Sequence, residues 1–356
     1  MELIVLGVFL HFVGGFASGS FYIPYNKVSG WSWESYWIMG GIFSWLIVPA
    51  IAAYLTVPHF FDIILTANSK TLFWTYIFGV LWGIGGLTFG LTMRYLGLSL
   101  GMTIVLGLCS VFGAIIPPIY KDLFTTQTEN TFTALIHSNG GSLIILGVII
   151  TIIGISICGK AGMIKEREVP DETKKESVKE FSLSKGLTVA IISGVLSACF
   201  SFGISAGKPL ADMALTYGAN SLFQNNVTFI LIMWGGLTTN AIYCVLLNLK
   251  NKSYTDYTNT STPLLLLNYL LVALAGTLWY LQFFFYGMGE SRLNNEASSW
   301  ILHMSFIILT SNLWGFYFGE WKGTSSKNRK VIYLGILVIL ISVCLVGYGN
   351  YLNHTE

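Results

Sequence analysis

KAGMIKEREVPDETKKESVKE, residues 160–180, is a charged run with a proline and no apolar period in an otherwise oily chain. Such a segment cannot bury enough apolar surface to fold on its own, so 160–185 reads as a solvated linker. Before it lie five apolar stretches, at about 3–23, 35–56, 71–93, 100–120 and 142–159. After it lie five more, at about 186–207, 222–248, 263–287, 298–319 and 331–351. Each is long enough for a helix to cross a hydrocarbon core of about 30 Å. Five is odd, so the second group enters the membrane inverted relative to the first. The expectation is an all-α membrane protein of ten transmembrane helices, built as two inverted five-helix repeats, 1–159 and 186–356, around a charged linker.

Composition agrees. The 356 residues are 54% hydrophobic and 10% charged, with a mean hydropathy of +0.66, which no soluble domain of this size matches. The start, Met1-Glu2-Leu3, lacks a positive n-region, so the first stretch is expected to be a retained helix rather than a signal peptide. Of the nineteen Lys and Arg residues, fifteen fall after odd-numbered stretches, and only Lys70, Lys121, Lys208 and Arg292 fall on the other side. Basic loops stay in the cytoplasm, which puts the 160–185 linker inside and both termini outside. The net charge of +2 is scattered over loops and gives no nucleic-acid footprint. The five cysteines all lie in apolar stretches and form no C-x-x-C pair, so they read as small buried hydrophobes. No cofactor or metal is expected.

Two faint self-matches fit a duplication. At an offset of 181, Ala17, Ser20, Phe21, Ile23 and Lys27 match Ala198, Ser201, Phe202, Ile204 and Lys208. At an offset of 197, Gly79, Leu81, Trp82 and Gly90 match Gly276, Leu278, Trp279 and Gly287. These pair stretch 1 with 6 and stretch 3 with 8. Glycines four apart (Gly15/Gly19, Gly79/Gly83, Gly86/Gly90, Gly97/Gly101, Gly203/Gly207) predict close helix packing in lipid. GIGGLTFG (83–90) lies inside a span with no strand before it and is not a nucleotide loop.

Ionisable groups inside a bilayer are costly, so each is a candidate site. His11 lies about 12 Å into the first helix and His303 about 8 Å into the ninth. Each reads either as an exterior-facing proton site or as a neutral core histidine held by a helix–helix hydrogen bond. Glu34, behind Trp31 and Trp33, is either an interfacial carboxylate or a desolvated proton acceptor. Lys27 and Lys208, at equivalent repeat positions, read as gate residues or ordinary helix-end anchors. Glu290 and Arg292 read as a surface pair closing the eighth helix. WYLQFFFY (279–286), placed near the end of that helix, sets Trp279, Gln282 and Tyr286 on one face. Aromatic faces stack on sugar rings and an amide bonds hydroxyls, so these three suit a neutral polyol, with Trp82 opposite; core packing is the alternative. No Lys, Arg or carboxylate sits mid-span, which disfavours anionic and cationic substrates.

GWSWE (30–34), LTMRYLGLSLGM (91–102), GKP (207–209), WYLQFFFYGMGESR (279–292) and SWILHMSF (299–306) together resemble the L-rhamnose–proton symporter family, within the drug/metabolite transporter superfamily. The resemblance runs from about residue 4 to 350. It implies uptake of L-rhamnose, a 6-deoxyhexose, with protons across a bacterial inner membrane, by a drug/metabolite transporter-like fold and without enzymatic activity. It does not single out a proton carrier among His11, Glu34 and His303. The expected partners are L-rhamnose or a related deoxysugar, protons and the lipid bilayer. Two other readings stand beside it: an exporter or exchanger of another small metabolite on the same fold, and a membrane receptor or lipid-linked glycan enzyme. Neither acid clusters nor an extramembrane domain favours the last.

Overall fold

The computed structural model describes residues 2–126, 128, 131–168, 182–259 and 264–353. Most of the linker, 169–181, lies outside the described residues. The rest is helical, with no strand among the described residues. We number the long helical stretches α1 (Glu2–Tyr25), α2 (Trp33–Thr56), α3 (Ser69–Leu96), α4 (Leu98–Phe124), α5 (Gly141–Glu168), α6 (Leu183–Thr216), α7 (Asn226–Asn251), α8 (Leu265–Leu293), α9 (Glu296–Tyr317) and α10 (Ser326–Asn353).

Each apolar stretch read from the sequence forms a helix. Nine of the described helical stretches are long and apolar enough to cross a membrane, and α9 is not among them. Its composition explains this. Ser298, Ser299, His303, Ser305, Thr310, Ser311 and Asn312 are all buried, so α9 faces protein where its neighbours face lipid. A helix enclosed by other helices can hold polar side chains that a lipid-facing one cannot.

Three stretches are not continuous α-helix. α1 is interrupted at Phe21, α6 at Ala198 and Gly207, and α2 runs through a π-helical turn at Phe43–Ile47. The charged linker begins later than the sequence suggested: α5 continues to Glu168, and Leu183 already opens α6.

Packing follows the glycines. α1 lies antiparallel to α8 and parallel to α9, with Gly7 on Leu293 and Arg292, Gly14 on the Gln282 carbonyl, and Gly15 and Gly19 on Phe306 and Thr310. α6 lies antiparallel to α3 and also packs on α4. α3 pairs with α7, α2 with α8, α4 with α9, and α5 with α10. A Cβ at Gly79 would collide with the Ile232 carbonyl of α7, and one at Gly276 with the Gly40 carbonyl of α2. Two of the expected glycine pairs do other work. Gly97 is the turn between α3 and α4, at φ +81°, where L side chains are strained, and Gly86 has nothing within 4 Å of where its Cβ would be.

Candidate functional site

The glycine face of α1 brings two histidines together in the interior. A Cβ on Gly289 of α8 would stand 2.8 Å from His11 Nε2, and one on Gly14 of α1 would stand 2.8 Å from His303 Cε1. Each imidazole therefore rests against a bare backbone on the facing helix. The two ring centroids are 5.7 Å apart, edge to face, and Tyr286 of α8 lies 5.5 Å from His11 and 5.3 Å from His303. All three side chains are buried, and among the described residues none of the four imidazole nitrogens has a hydrogen-bond partner. Trp300 closes the group 5.7 Å from Tyr286, held by a bond from its indole N–H to the Cys109 carbonyl of α4. The sequence placed both histidines separately in the outer half; the fold joins them.

A second cluster lies beside this one. Trp82 (α3), Trp45 and Trp37 (α2) and Trp279 (α8) form a chain with successive centroids 6.5, 6.3 and 6.3 Å apart. Phe21 meets Trp279 at 4.3 Å, and Phe200 and Phe283 stack at 4.1 Å below Trp82. The Trp37 indole donates to Asn240 Oδ1 at 2.8 Å, whereas the buried Trp45 and Trp279 N–H groups have no partner among the described residues. Trp82 and Trp279 thus border one aromatic cluster. Gln282 is buried, but its amide N–H bonds the Trp279 carbonyl of its own helix rather than a neighbouring one. Because α8 continues to Leu293, WYLQFFFY lies in the body of the helix, not in its last turns.

The remaining candidates lie at the two ends. Glu34 accepts hydrogen bonds from Ser253 Oγ (2.7 Å) and Asn251 Nδ2 (2.9 Å). Beside it, Ser32 N and Ser35 Oγ both bond Asp256 at 2.8 Å, and Asn268 of α8 grips the backbone of Ser29. Lys27 is exposed, and Lys208 is a half-exposed partner of Asp212 at 3.6 Å. At the opposite end Lys121 pairs with Glu296 at 2.8 Å, nearly enclosed, with Ser205 Oγ on the same carboxylate oxygen at 3.0 Å.

Glu290 corrects the sequence reading. It is buried, not a surface partner of Arg292, and accepts a bond from Asn225 Nδ2 at 2.7 Å. Sequence reasoning also missed Trp37, Trp45, Phe200, Phe283 and Asn240. Asn240 was the findable one, an amide deep in an apolar stretch. Among the described residues no group of three or more His, Cys, Asp or Glu side chains could hold a metal ion.

Fold and site together define a multi-pass helical membrane protein whose interior presents paired histidines and unpaired indole donors inside a shell of aromatic rings. The model of the L-rhamnose-proton symport protein family (RhaT) matches residues 1–351, and the chain belongs to that family. The chain is similar to the L-rhamnose-proton symporter of Yersinia pestis (strain Pestoides F), at 39% identity over 350 residues covering 97% of this chain and 98% of the relative. It is 38% identical, over the same shares, to the L-rhamnose-proton symporter of Klebsiella pneumoniae (strain 342). Members of this family are transporters, not enzymes.

Proposed function

We propose that the chain imports L-rhamnose together with protons across a bacterial inner membrane. The observation that carries the reading is the full-length family match, joined to an interior that holds a buried histidine pair and, among the described residues, no mid-span cation. Trp82, Trp279, Gln282 and Tyr286 border the sugar, with Trp37 and Trp45 completing the aromatic wall. The unpartnered Trp45 and Trp279 N–H groups supply donors for sugar hydroxyls, and ring faces stack on its apolar side. His11 and His303 carry the proton. Glu34 belongs with the end closure, since its carboxylate already has two donors.

The architecture is a 5+5 inverted repeat of the drug/metabolite transporter type, with both termini outside and the linker in the cytoplasm. Packing supports this. Exchanging α1 with α6, α2 with α7, α3 with α8, α4 with α9 and α5 with α10 turns the main helix contacts into one another: α1 on α8 and α9 becomes α6 on α3 and α4, and α3 on α7 becomes α8 on α2. Matched residues do matched work. Gly79 and Gly276 each admit a carbonyl of the exchanged partner helix. Ser20 accepts from Trp314 of α9, and Ser201 donates to Gly113 of α4. Phe21 packs on Trp279 of α8, and Phe202 on Phe78 of α3. Sidedness rests on the fifteen basic residues.

Coupling requires that proton and sugar favour the same conformation, and the linkage is reciprocal. The test is flux of purified protein in proteoliposomes against a sugar panel. L-rhamnose uptake driven by an inward proton gradient is expected; gradient-independent handling of L-rhamnose overturns the reading.

A further inference from the structure

Among the described residues, Glu290 is a buried carboxylate near the histidine pair that the reading above does not use. It sits one residue past Gly289, the seat of His11, and one helical turn from Tyr286. It forms no ion pair among the described residues, and Asn225 Nδ2 is its hydrogen-bond partner. The surrounding elements each bring a titratable or charged group. α1 brings His11, α9 brings Glu296, the end of α4 brings Lys121, and α6 brings Lys208. Lys121 is already committed to Glu296, and Lys208 to Asp212. On α8 itself, Arg292 turns its Cβ to Gly7 of α1.

We propose that Glu290 is the outer proton acceptor of this symporter and that taking up a proton there permits the outer end to close. This rests on the transport direction and sidedness proposed above. In the closed arrangement the carboxyl is out of water, with an amide donor but no counter-ion. An ionised carboxylate is costly in that position, and a neutral acid is not. In the outward-open state the same group faces water and ionises freely. Closure then draws one proton from the exterior onto the carboxylate oxygen, beside the His11–His303 pair, which receives it as the carrier turns inward. The binding of a proton and the sealing of the outer end become one equilibrium.

The experiment measures L-rhamnose uptake against external pH in proteoliposomes holding wild-type protein, Glu290→Gln, Glu290→Asp and Asn225→Ala. Wild-type uptake rises as external pH falls. Glu290→Gln loses this acid stimulation and its gradient-driven accumulation, and Glu290→Asp, which keeps a titratable carboxyl, restores the slope. Asn225→Ala keeps the carboxyl but removes the donor that favours its ionised form, so its profile moves alkaline by about one pH unit. A Glu290→Gln profile that matches wild type overturns the proposal. If Glu290→Gln does not fold, an unshifted Asn225→Ala profile overturns it equally. Wild-type uptake that ignores the proton gradient defeats instead the symport reading itself.

Discussion

Where α4 and α8 finish and α9 begins, closure is made by charge: Lys121 on Glu296, with Glu290 buried beside them on Asn225. Where α2 and α8 begin and α7 finishes, Glu34 and Asp256 instead collect hydroxyl, amide and backbone donors, and Asn268 clasps the Ser29 backbone. The difference teaches how each end responds to its surroundings. Breaking a buried ion pair strands a charge, so the first end opens all at once or not at all. Hydrogen bonds to hydroxyls and amides are readily replaced by water, so the second end opens in smaller steps. A proton changes the charge count at the first end and leaves most of the second untouched.

Four changes sharpen or break this contrast. The largest lies between the ends: His303→Ala should abolish proton-driven accumulation while counterflow of preloaded sugar continues, measured in proteoliposomes. Next, Lys121→Ala strands Glu296 and should cost about 3 kcal/mol of stability; thermal unfolding in detergent reads it, and the double change Lys121→Met with Glu296→Met should recover most of it. Ser35→Ala removes one donor from Asp256 at the other end and should cost about 1–2 kcal/mol. A loss as large as that of Lys121→Ala would erase the distinction between the ends. The smallest effect is at Glu168, past the apolar span of α5, where hydrogen bonds from the Ser325 hydroxyl and backbone N–H hold its carboxyl below the ordinary range. A lowered value stabilises the fold above the unfolded carboxylate range and is lost as pH falls. Glu168→Gln should therefore lower the melting temperature slightly at neutral pH and leave it unchanged in acid.

The apolar helices were legible because hydropathy over some twenty residues is a long, redundant signal. α9 shows the limit: its helix was found, but the reason for its many hydroxyls, burial against neighbouring helices, needed those neighbours to be known. The site was legible residue by residue and not as a constellation. His11 and His303 were singled out, yet nothing in a linear sequence says that Gly14 and Gly289 seat their rings. Glu290 was misread because proximity to a helix end was taken for exposure. In this bundle the terminal turn of α8 is covered by α1 and the start of α7, so nearness to an end does not mean contact with water.

The hydroxyl-rich face of α9 bears on how the chain is made. The insertion machinery weighs each segment against lipid as it emerges, and a segment carrying His303, Asn312 and five buried serine or threonine side chains scores poorly alone. In the ten-span arrangement proposed above, α9 enters the bilayer in company, held beside α8 and α4 until α10 follows. A nascent chain halted before α10 should leave that segment unstably inserted and exposed to quality-control proteolysis.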